Sequence, residues 1–130
     1  MAKSAQAARV NLKSASDVLM EAIIKGLLDK KGNEIVCLDL RQLNGAVADI
    51  FIVCHGISST QVEGLARSVE EVVHEELNEW PTFIEGKENA QWVLIDYINV
   101  VVHIFQQEQR DYYGIERLWA DAEIKKVISN

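Results

Sequence analysis

The apolar positions of this chain fall into runs whose spacing switches between helix-like and strand-like. The longest run is Trp92 to Phe105, WVLIDYINVVVHIF, with polar groups at Asp96, Asn99 and His103. Val, Ile and Phe dominate it, which predicts two strands joined at Tyr97-Ile98-Asn99 and central to a sheet. Strand side chains alternate between faces. With a two-residue turn, Trp92, Leu94 and Asp96 share a face with Val101, His103 and Phe105. The opposite face, Val93, Ile95, Val102 and Ile104, is purely aliphatic and is expected to pack against helices. A three-residue turn would change this pairing.

Upstream, Leu19, Ile23, Ile24, Leu27 and Leu28 form a helical stripe that Ser14 or Ser16 can cap and that Lys30-Lys31-Gly32 can close. Glu34 to Leu40 predicts a short strand, and Val47 to His55 a second, nearly all apolar and so central. Ser58 and Gln61 have the spacing of a capping box ahead of the stripe Val62, Leu65, Ala66, Val69, Val73 and Leu77. Trp80-Pro81 ends that helix, and Phe83-Ile84 suits a short edge strand. Gln107 to Tyr113 starts a C-terminal helix, with Leu118 and Trp119 as apolar anchors. The order predicts an α/β fold, a mixed five-stranded sheet with helices packed on it. Residues 1–15 read as an N-terminal tail, 16–122 as one domain and 123–130 as a C-terminal tail.

Charge changes the picture more than composition does. Residues 1–16 hold Lys3, Arg9 and Lys13 and no acid, whereas the remainder carries all 20 acids against 10 bases. An acidic body is a poor general binder of phosphate backbones and suits a basic protein partner. The plainer alternative is that the acids keep the domain soluble. Cys37 and Cys54 each lie within a predicted strand among aliphatics, the setting of small buried hydrophobes in a reducing compartment. The chain has no apolar run of signal-peptide or membrane-spanning type, so a cytoplasmic location is expected, although the basic start is also compatible with a degenerate transit peptide.

Catalytic chemistry finds little support. Cys37, Cys54, His55, His74 and His103 have no metal-ligand spacing, and no metal or cofactor is expected. Gly56-Ile57-Ser58, between a strand and a helix, can hold a phosphate or simply cap the helix. It also begins a nucleotidyltransferase signature. That chemistry needs two carboxylates one residue apart on a following strand, and downstream only Asp96 stands in a strand. The mixed hairpin face is either covered, with His103 a hydrogen-bonded core residue, or open to another protein. Aromatics with an acidic rim suit such a contact.

Several segments, in order and at compatible spacing over about residues 16–122, resemble the ribosomal silencing factor (RsfS, Iojap) family. They are Ala48-Asp49-Ile50-Phe51-Ile52-Val53 with Gly56-Ile57-Ser58 and Gln61-Val62, then Glu85-Gly86 and Trp92 to Tyr97. Val101-Val102-His103-Ile104-Phe105, Arg110, Tyr113 and Glu116-Arg117-Leu118-Trp119 complete the set. The resemblance implies a nucleotidyltransferase-like α/β fold without catalysis. It also implies binding to the large ribosomal subunit through its ribosomal protein fourteen. Joining of the small subunit would thereby be blocked and translation damped when nutrients are scarce. Carried over by motif, Glu85, Trp92, Asp96, Tyr97, His103, Arg110, Tyr113 and Glu116 are the expected partner-binding residues. The chain departs from the family pattern at Ile98-Asn99, where Gly-Asp is usual, at Ile50, commonly Tyr, and at Gly114-Ile115, where an acid and Leu are usual. Asn99 can accept a left-handed turn conformation more easily than most residues, and Gly114 is expected to stop the last helix early. The competing readings are a nucleotide-binding or nucleotidyltransferase-like enzyme using the Gly56 to Gln61 turn, and a dimerising module. A homodimer is compatible with either non-enzymatic reading.

Overall fold

The structure, a computed structural model, describes residues 14–128. The expected tail at 1–15 therefore lies almost wholly outside the described residues. Helix α1 spans Ala15–Asp29, with Ser14 as its cap accepting the Asp17 amide. Strands β1 (Asn33–Asp39) and β2 (Ile50–Gly56) follow, then helix α2 (Ser59–Leu77). Strand β3 (Phe83–Glu85), strand β4 (Trp92–Asp96) and strand β5 (Val100–Gln106) lead into short helices α3 (Gln107–Tyr113) and α4 (Ile115–Leu118). Strand β6 (Glu123–Lys126) completes the sequence.

The strands form one mixed sheet in the order β3-β4-β5-β2-β1-β6, with β2 and β5 parallel and the other neighbours antiparallel. Six strands replace the five expected. The added strand comes from residues 123–126, read above as the start of a tail. All four are exposed, so they give no apolar alternation by which a strand is recognised.

Helices α1 and α2 lie together over one face, where Leu19, Ile23, Leu27, Val62, Leu65 and Val69 meet Ile52, Ile95, Val102 and Ile104. The aliphatic set of the hairpin is therefore core, as its alternation predicts. Cys54 and Cys37 belong to this layer, both buried and free. Burial pushes their thiols up, to about 12 and about 11. The other face is packed differently. Phe51, Val53, Val101 and Phe105 are covered by Leu43, Ala46 and Ala48 of the β1–β2 loop and by Ile115, Trp119 and Ala122 near the C-terminus. Leu118, expected to anchor there beside Trp119, is 74 % exposed.

Candidate functional site

The hairpin register sets the site. Trp92 pairs with Phe105, Leu94 with His103 and Asp96 with Val101, the face assignment that a two-residue turn predicts. On the outer side, Phe83 and Glu85 of β3 pair with Asp96 and Leu94 and so share this face. The β3 end of the face carries no helix. Glu85, Gly86, Trp92 and Leu94 line a shallow pocket of about 210 Å³ there. Gly86 is required at this spot. Its φ is +88°, and a Cβ would sit 2.0 Å from the Trp92 carbonyl oxygen.

Aromatic rings surround Trp92. Phe105 stacks at 4.9 Å, and Tyr113, delivered by α3, tilts against it at 4.7 Å. The Trp92 indole Nε1–H donates to His103 Nδ1 at 3.2 Å. His103 also meets Phe51 edge-on at 4.8 Å, and Phe51 meets Trp119 at 5.8 Å. Tyr112 and Tyr113 remain exposed at the margin. Gly114, left-handed at φ +54°, stops α3 as expected and turns the chain so that Trp119 returns to the sheet.

The expected partner-binding residues thus separate into three places. Glu85 and Trp92 line the pocket, and His103 and Tyr113 contact Trp92. Asp96 and Tyr97 sit at the hairpin turn, where Asp96 Oδ1 accepts the Ile98 amide at 2.6 Å. Arg110 and Glu116 meet elsewhere, with Arg110 Nε and Nη2 donating to the two Glu116 oxygens at 2.9 and 3.2 Å. Arg110 Nη1 also reaches the Asn33 carbonyl and His55 Nδ1. A guanidinium can only donate, so His55 Nδ1 accepts and the ring is neutral. Burial, with Arg110 second, lowers the His55 pKa.

Three of these residues are buried. Tyr97 follows Asp96 and so points to the helix face, where it is 5 % exposed. Burial, then Glu70 and Glu79, pushes its phenol above its usual range. His103 is 4 % exposed and Arg110 8 %. Conversely, Phe83 and Leu94 belong to the open end and were missed. Strand alternation from Trp92 pointed to Leu94, whereas Phe83 needed the β3 register.

At the Gly56 to Gln61 turn, Ser58 accepts the Gln61 amide and Gln61 Oε1 accepts the Ile57 amide. Gln61 thus reaches one residue further back than in a capping box. The turn caps the helix through Ser58 and Gln61, one of the two readings that its sequence allows.

A mixed sheet closed by helices on one face and half-open and aromatic on the other defines an α/β protein with one partly uncovered sheet face. The family profile described as ribosomal silencing factor during starvation matches residues 13–129. The ribosomal silencing factor RsfS of Halalkalibacterium halodurans is 40% identical over 114 residues, covering 85% of this chain and 96% of that protein. That of Bacillus subtilis is 40% identical over 94 residues, covering 72% and 78%. A crystal structure of a Chromobacterium violaceum protein superposes with a TM-score of 0.77 at 34% identity, covering 89% of this chain and 95% of that one. The chain belongs to the ribosomal silencing factor (RsfS) family.

Proposed function

We propose that this chain silences ribosomes without a chemical step, by docking the open end of its aromatic face on the large ribosomal subunit. The partner surface is ribosomal protein fourteen, and the bound factor keeps the small subunit from joining, so that translation falls when nutrients are scarce. The observation that carries this reading is the uncovered pocket at β3 and β4, with Trp92 half-buried in its wall and Glu85 exposed beside it. Half-buried aromatics supply area at low ordering cost, and carboxylates at the rim complement a basic partner and speed encounter. Glu85, Trp92, Asp96 and Tyr113 are the contact residues in this reading. Tyr97, His103, Arg110 and Glu116 act behind them, holding the turn, the tryptophan and the C-terminal segment. The caps formed by Ser58 and Gln61 at the Gly56 to Gln61 turn favour the helix-cap reading over the nucleotide alternative.

Co-sedimentation with isolated large subunits tests the assignment. Asp96→Lys should abolish it, and Asp96→Asn, which keeps an acceptor for the Ile98 amide, separates loss of charge from loss of the turn. Wild-type co-sedimentation by folded Asp96→Lys and Trp92→Ala variants overturns the assignment.

A further inference from the structure

We propose that His103 is a positioning residue for Trp92, accepting the indole N–H and so fixing the ring that the partner meets. The inference rests on the docking role given to Trp92 above. His103 lies on β5 opposite Leu94, and Trp92 lies opposite Phe105, so the hydrogen bond crosses the hairpin diagonally. The stacked Phe105 ring and the tilted Tyr113 ring hold the plane of the indole. Stacking on the ring plane does not by itself choose between the two flipped orientations of the indole. In the observed orientation the N–H meets His103 Nδ1 at 3.2 Å, a bond that a flip of the ring would break.

Packing alone does not account for an imidazole here. His103 is 4 % exposed, and its Nε2 has no hydrogen-bond partner among the described residues. With Nδ1 accepting, Nε2 carries the proton, and burying an unmet donor is unfavourable. Leu or Phe would fill the same space without that penalty. What the imidazole adds is the acceptor. A Trp92 ring already held in one orientation loses less freedom on docking, a gain of about two- to tenfold in affinity.

The test compares His103→Leu, which keeps apolar bulk and removes the acceptor, with His103→Asn, whose Oδ1 falls near the position of Nδ1. The indole ¹H–¹⁵N signal of Trp92, assigned through Trp92→Phe, reports the bond directly. Affinity for isolated large subunits reports its consequence, and urea denaturation reports stability. His103→Leu should be at least as stable as the parent, shift the indole signal, and bind about two- to tenfold more weakly. His103→Asn should restore signal and affinity together. Should His103→Leu not fold, His103→Phe makes the same comparison. Affinity that merely follows stability across the variants overturns the positioning role, as does an unmoved indole signal. Unchanged binding by Trp92→Ala removes the docking role and the proposal with it, while the signal still decides whether the hydrogen bond exists.

Discussion

The two faces of the β4–β5 hairpin share a backbone and differ in almost everything else. On one, Val93, Ile95, Val102 and Ile104 are wholly buried beneath two long helices. On the other, aromatic rings and a histidine fill the centre, short segments cover one end, and Trp92 and Leu94 are left half-buried. Helices close a face completely because their side chains interdigitate with the pleat. Loops and single turns close it only where they pass. The second face is therefore packed at β2 and β5 and left partly uncovered at β3 and β4.

Paired truncations bring out this difference most strongly. Ile104→Ala empties a fully buried site between sheet and helices, and urea denaturation should register a loss of about 2–5 kcal/mol. Leu94→Ala removes a half-buried side chain from the pocket wall and should cost about 1 kcal/mol or less. Binding to large subunits should reverse the ranking, with Leu94→Ala impaired and any Ile104→Ala that remains folded near normal. Equal stability losses would mean that the open end is as much core as the helix face.

Acid should weaken the aromatic face first. Burial lowers the His103 pKa to about 4, and the unfolded chain titrates near the usual value of about 6.5. Between these values the unfolded state binds the extra proton, so stability falls as pH drops from about 6.5 to about 4 and levels off below. The loss from this residue is at most about 3 kcal/mol, and His55, also lowered, adds in the same direction. Denaturation midpoints across this pH range should fall in the parent and fall less steeply in His103→Leu, where His55 still contributes.

The helix face was legible in the sequence because its signals are local: alternation along strands, a 3.6-residue stripe along helices and caps at their ends. The other face was legible only in part. Alternation placed Trp92, Asp96 and His103 together but not how deep each lies. Tyr97 reads as an exposed turn residue until its parity puts it under α2. Arg110 is buried by the Asn33 carbonyl and His55, distant in sequence, which no local pattern announces. Strand β6 escaped because an exposed edge rich in Lys has no apolar period, charges being a common guard on such edges.

The turn joining the two faces offers the smallest and most local effect. Ile98, not Asn99, takes the positive φ, at +75°. The Asn99 amide donates to the Tyr97 carbonyl at 3.0 Å across it, so the hairpin closes through a γ-turn. A β-branched residue in that conformation carries about 1–3 kcal/mol of strain. Three contacts hold it: Asp96 accepts the Ile98 amide, and the Asn99 carbonyl accepts the amides of Asp49 and Ile50. Ile98→Gly removes the strain but gives the unfolded chain more freedom, which returns about 0.5–1 kcal/mol. The net expectation is a stabilisation of about 1 kcal/mol, read as a higher denaturation midpoint with an unchanged slope. Because Ile98 is 63 % exposed and makes its constraint through backbone alone, large-subunit binding should stay as it was. A destabilised Ile98→Gly would mean that the exposed isoleucine packs on something, and weaker binding at unchanged stability would move the docking surface from the pocket toward the turn.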